Sequence, residues 1–121
     1  MISIDYFSKI DIRIGTVTDA SVPEWSHWVM RLTVDLGEEI GTKTIFSGIM
    51  KFFKPEDLVG KQFPFVVNLE PKRIGPKDEQ GNYNFSEGMM IMAAPGDDDD
   101  EETAPVLFQL QGKVPNGTKV R

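Results

Sequence analysis

Apolar and polar residues alternate at period two along segment after segment of this chain, the mark of half-buried β-strands. Ile10, Ile12 and Ile14 alternate with Asp11 and Arg13, and Gly15 then marks a bulge or a close backbone approach. Trp28, Met30, Leu32, Val34 and Leu36 form the cleanest stripe, with Arg31, Thr33 and Asp35 on the other face. After a turn at Gly37-Glu38-Glu39, Lys43, Ile45, Ser47 and Ile49 share a face. Phe63, Phe65, Val67 and Leu69 make a fourth strand, with Pro64, Asn68 and Glu70 turned the other way. Met89, Ile91 and Ala93 lie in a fifth, and Val106, Phe108 and Leu110 in an extra one. By its phase Trp28 belongs to the core; Trp25 has no such phase.

Between these strands lie two short helical signals. Asp5 to Lys9 suits a single turn capped by Ser3 or Asp5. Lys54 to Gly60 places Pro55 at a helix start and Gly60 just past its end. Five strands with a short helix between the third and fourth is the order of an OB-fold, a partly open Greek-key barrel, although other small barrels share the spacing. The expectation is therefore an all-β chain, one domain over residues 1–121, with extra terminal segments. Residues 71–87 and 95–105 mix Pro, Gly, Asn and acidic residues in a way that no single strand or helix would keep, and read as long connections.

Composition narrows the chemistry. Among 121 residues, 40% are hydrophobic and eight are Phe, which is enough for a real core. There is no cysteine and only one histidine, His27, so disulfides, thiolate metal sites and histidine-based catalytic groupings are ruled out. No phosphate-cradling glycine loop is present, and carboxylates cluster only in turns and in the run Asp97 to Glu102. That run lacks the spacing of a calcium loop and reads as a solvated loop. The expectations are a binding module and not an enzyme, with no cofactor and no metal. With no signal-like or membrane-spanning stretch, a cytoplasmic address follows by default.

The net charge of −6 speaks against an anionic partner until it is resolved along the chain. Residues 97–102 carry six of the 19 carboxylates; the remaining 13 match the 13 Lys and Arg. From Lys43 to Lys77 seven basic residues face only Glu56, Asp57 and Glu70. An anionic ligand near the middle strands is compatible with that distribution. On an OB-fold such a ligand lies across strands two and three, between the first loop and the loop joining strands four and five. Trp25 would stack there on a base, and Lys43, Lys72, Arg73 and Lys77 would supply phosphate contacts.

Several stretches, in order, resemble the tRNA-binding domain family. Ile10-Asp11-Ile12-Arg13-Ile14-Gly15 is similar to its opening strand, Ser47-Gly48-Ile49 to the end of its third, and Lys54 to Lys61 to its insertion helix. Val66 to Ile74, Ser86-Glu87-Gly88-Met89 and Val114 to Val120 resemble its fourth strand, fifth strand and closing segment. The resemblance implies an RNA-binding module for tRNA or another structured RNA, working as a homodimer through its terminal segments. It places Arg13, Ser47, Asn68, Lys72, Arg73, Ser86 and Met89 in the ligand groove. The family also holds CsaA-like secretion chaperones, so a second expectation is a module for unfolded or pre-secretory polypeptides, with Met50, Phe52, Phe53 and Met89 to Met92 lining an apolar groove. The first loop, Val22 to Trp28, departs from the family pattern, and Lys77 to Phe85 looks like an insertion.

Overall fold

The computed structural model describes residues 1–121. A five-stranded antiparallel sheet runs in the order β3-β2-β1-β4-β7. Its members are β1 (Ile12–Ser21), β2 (Met30–Asp35), β3 (Thr42–Ser47), β4 (Gln62–Val66) and β7 (Met89–Met90). The sheet curls until its two edges meet. There the Glu87 N–H donates to the Thr44 carbonyl at 2.8 Å, and the Phe46 N–H donates to Ser86 Oγ at 3.0 Å. The result is a nearly closed barrel of the expected OB type.

The stripe on β2 fills this barrel. Met30, Leu32, Val34 and Leu36 are fully buried and meet Val17, Ile45, Phe63, Phe65 and Met90 in one cluster. Each such side chain contributes roughly 1.5–3 kcal/mol on burial. Gly15 is required where β1 crosses β2, because a Cβ there would lie 2.6 Å from Val34 Cγ1. The helix between β3 and β4, α3 (Pro55–Leu58), begins on proline, and Asp57 Oδ2 caps it by accepting from the Lys54 N–H at 2.8 Å. It drives Leu58 into the barrel's end, and Gly60 and Lys61 bond Val17 from both sides at a bulge in β1.

At the N-terminus, α1 (Ile4–Phe7) is capped by Ser3, whose Oγ accepts from the Tyr6 N–H at 3.1 Å. The turn after β2 closes into a further helical turn, α2 (Gly37–Ile40). The C-terminal segment returns to the edge of β1 that β2 leaves open. Ile14 N–H donates to Thr118 O at 2.9 Å and Val120 N–H to Ile12 O at 2.9 Å. Gln62 and Asn116 clasp that segment: Gln62 Nε2 donates to Val114 O at 2.7 Å and to Asn116 Oδ1 at 3.0 Å.

The sequence expectations change at several points: β1 starts after Ile10 and β4 ends before Leu69, and both of these residues are exposed. Residues 71–87 hold a two-stranded hairpin, β5 (Lys72–Ile74) with β6 (Asn84–Ser86), whose strands are too short to show a period. The fifth strand is broken: β7 stays on β4, while β8 (Met92–Ala93) leaves to pair with β9 (Val106–Leu107). Trp28 is 53% exposed rather than core, because β2 starts only at Met30. Just before it, Ser26 Oγ turns the chain by accepting from the N–H groups of Trp28 and Val29.

Candidate functional site

The outer face of the barrel over β2 and β3 follows from their register. Arg31 stands opposite Phe46, and Leu32 opposite Ile45. Since Leu32 and Ile45 point inward, Arg31 and Phe46 point outward. The Arg31 guanidinium lies 5.3 Å from the Phe46 ring centroid and also donates to Asn84 Oδ1 of β6 at 3.4 Å. From the first loop Trp25 packs on Phe46, centroids 6.2 Å apart, and meets Trp28 edge-on at 6.4 Å. Gly75, at φ +71°, lets the hairpin close onto this loop, because a Cβ there would sit 2.5 Å from Trp25 Cη2. An aromatic groove is thus walled by the first loop and by the β5–β6 hairpin, with Arg31 on its floor.

Two adjoining cavities extend it. One, of about 390 Å³, is bordered by His27, Trp28, Phe52 and Lys51 on one side and by Asp100 and Glu101 on the other. The other, of about 370 Å³, runs past Phe46, Ser47 and Gly48 to Met89 and Met92. Glu101 reaches Lys51 at 3.7 Å, so part of the acidic run closes the Trp28 end of the groove. Hydrogen bonds from the Thr103 hydroxyl and from the N–H groups of Glu102 and Thr103 hold the Asp100 carboxyl below its ordinary range.

The sequence-named residues divide into three groups. Trp25, Lys72 and half-exposed Met89 lie at the groove or its walls, while Arg73 and Lys77 gather over Tyr83 on the other face of the hairpin. Lys72 and Arg73 are neighbours on β5 and therefore face opposite sides of the hairpin. Lys43 and Ser47 sit on the inward face of β3, opposite Val34 and Met30, and Ser47 is 6% exposed at the cavity edge. The third group is spent on internal bonds. Asn68 accepts from the Asp11 N–H and donates to Lys9 O, pinning the N-terminal segment. Ser86 joins Phe46 N–H to Gly88 O.

Arg13, only 8% exposed, is also in this last group. It forks onto Asp11, with Nε to Oδ1 at 2.7 Å and Nη2 to Oδ2 at 3.3 Å. Its Nη1 donates to Glu39 Oε2 at 3.2 Å and to Gly117 O at 3.1 Å. These bonds to Asp11 first, then Glu39, raise its pKa further. Its guanidinium is turned to these partners rather than to the groove, at the opposite end of β1 from the first loop.

Sequence reasoning missed Arg31, Phe46, Tyr83 and Phe85. The signal for Phe46 was present: it is the one large apolar residue out of phase with Ile45 and Ser47. Tyr83 and Phe85 alternate with Asn84 and Ser86, a strand pattern hidden among turn residues.

Comparison with known proteins follows the same lines. Residues 12–119 match the family model described as "Putative tRNA binding domain". A methionine–tRNA ligase from Methylibium petroleiphilum is 40% identical over 123 residues, which cover 99% of this chain and 16% of the ligase. One from Deinococcus radiodurans is 39% identical over 121 residues, covering 100% of this chain and 16% of that protein. The chain therefore spans about one-sixth of the length of these curated relatives. Among solved structures, the chaperone CsaA from Bacillus anthracis str. Ames is 36% identical with a TM-score of 0.77, covering 100% of this chain and 99% of that one. A MetRS related protein from Pyrococcus horikoshii is 32% identical with a TM-score of 0.77, covering 100% and 98%.

Proposed function

The chain belongs to the tRNA-binding domain family, and from that premise we propose that it is a non-catalytic module that binds tRNA across the groove between its first loop and its β5–β6 hairpin. One observation carries the reading to these residues: Lys72, on the barrel-facing side of the hairpin opposite Ser86, forms no salt bridge and stands beside an aromatic groove with Arg31 on its floor. Unpaired cations beside exposed rings suit phosphates and bases together. Exposed Trp28 is the free ring, whereas Trp25 shapes the groove by packing on Phe46. No helix is long and apolar enough to cross a membrane, and we assign the module to the cytoplasm, where tRNA is used.

Fluorescence anisotropy with labelled tRNA tests this. Two groove cations at phosphates (Arg31 and Lys72) give a slope of log affinity against log salt of about −1.5. Affinity that does not respond to salt, or no binding at low salt, overturns the assignment.

A homodimer is part of the proposal. Ile4, Tyr6, Phe7 and Ile10 are exposed near Leu69 and Val120, and hydrogen bonds draw these segments together: Asn68 bonds Lys9 O, and Val120 N–H bonds Ile12 O. A second copy would cover this apolar patch. Sedimentation equilibrium showing a monomer at tens of micromolar would remove it. A second reading, a chaperone for unfolded polypeptide, is favoured by the methionine-lined cavity, since Met adapts to varied partners. Suppressed aggregation of a denatured client, lost on Met89→Asp, would support it.

A further inference from the structure

The β5–β6 hairpin has an inner and an outer face. Its inner face belongs to the barrel: Asn84 accepts from Arg31, and Ser86 joins Phe46 to Gly88. On the outer face Arg73 stands opposite Phe85, and Tyr83 lies two residues before Phe85 on the same side. Tyr83 is 41% and Phe85 46% exposed. The Arg73 guanidinium carbon lies 4.4 Å from the Tyr83 ring centroid, and Lys77 Nζ lies 5.0 Å from it. Neither cation has a carboxylate partner. Asp78, the nearest acid in sequence, is engaged within the turn, where it accepts from the N–H groups of Gln80 and Asn82.

Two exposed rings and two unpaired cations on the side away from the groove have no task in holding the barrel. We propose that Arg73, Lys77, Tyr83 and Phe85 form a second RNA contact that stacks unpaired bases of a single-stranded segment and holds its phosphates. The proposal rests on the RNA-binding reading and adds a ligand class to it. Duplex RNA keeps its base faces stacked and cannot use such a platform, whereas splayed bases can. Cations over the ring hold its orientation and enrich phosphate nearby.

The test titrates the full chain with three labelled RNAs: an unstructured 12-mer, tRNA, and a blunt duplex. The Tyr83→Ala/Phe85→Ala variant is expected to bind the 12-mer at least about tenfold more weakly, in line with one lost stacked base, and the duplex as the parent does. Tyr83→Phe/Phe85→Tyr keeps both rings and is expected to bind the 12-mer within about twofold of the parent, which separates stacking from folding. Arg73→Ala/Lys77→Ala should reduce the salt slope for the 12-mer by about 1.4. Equal weakening for 12-mer and duplex, or an unchanged 12-mer affinity in a parent that binds tRNA, overturns the proposal. So does polyglutamate binding that needs Tyr83 while RNA binding does not, which would assign this face to an acidic protein partner. If the parent binds none of the three RNAs, the functional reading itself fails, an outcome distinct from these.

Discussion

Replacing Arg13 by methionine separates a structural from a ligand-binding role for this residue. Its side chain is 10% exposed and that of Asp11 25%, so their fork sits at the edge of the barrel's interior. Breaking one partner of a buried pair costs roughly 3–5 kcal/mol, because the other charge is stranded. Partial access of water to Asp11 lowers that figure to about 1–2 kcal/mol. The Glu39 side chain is 75% exposed, and its share is under about 1 kcal/mol. The Gly117 carbonyl loses a donor worth about 1 kcal/mol. The sum is a destabilisation of about 2–4 kcal/mol, or roughly 8–15 °C in Tm for a chain of this size. Arg13→Lys restores a charge without the fork and should recover less than half of the loss. Urea and thermal melts followed by circular dichroism give both values. At a temperature where the variant is fully folded, its tRNA affinity should match the parent within about twofold, as the salt slope carries no share from this residue. A melt within about 0.5 kcal/mol of the parent, or a tenfold loss of tRNA affinity in folded Arg13→Met, would refute the argument.

Gly75→Ala forces a Cβ into the space of Trp25 at a positive φ. It should lower stability by about 1–2 kcal/mol and red-shift tryptophan emission; an unmoved spectrum would mean that the first loop does not rest on the hairpin. Neutralising residues 97–102 to Asn and Gln should strengthen tRNA binding severalfold at low salt, with the difference fading above roughly 0.3 M as screening shortens. Identical binding at about 0.05 M salt would show that the run exerts no repulsion at the groove. For Asp100 the folded pKa is lowered, so its turn is held above the ordinary carboxylate value of 3.8 and released as pH falls through the lower folded value. Carboxyl chemical shifts titrated by NMR check this, and a midpoint at or above 3.8 would contradict it.

What could be read from the sequence depended on whether a residue's neighbours lay along the chain or across it. Met30, Leu32, Val34 and Leu36 are fully buried as their alternation says, and α3 lies where Pro55 and Gly60 bracket it. Period-two reading extended the stripe to Trp28 only because it has no means of seeing Ser26 break the strand. Three-residue strands such as β5 and β6 fall below any periodicity window, so the hairpin looked like a loop. For Arg13, alternation places the side chain off the core face, which in an isolated strand means solvent. A segment about a hundred residues away returns to cover it, and no local pattern carries that information.

Charge follows the same logic. A total of −6 suggests repulsion of nucleic acid, yet part of it is held in internal pairs: Arg13 bridges Asp11 and Glu39, and Glu101 meets Lys51. The cations of the hairpin form no salt bridge. Over a screening length of about 8–10 Å a ligand feels the local pairing rather than the total. On the proposed reading, position and not composition makes the groove attractive to phosphate. The acidic run is expected to oppose that attraction at the Trp28 end, where Asp100 and Glu101 border the cavity. A bound RNA is expected to enter from the hairpin side and to leave the Trp28 end for last. Removing the hairpin cations should then slow association, whereas neutralising the run should mainly slow dissociation.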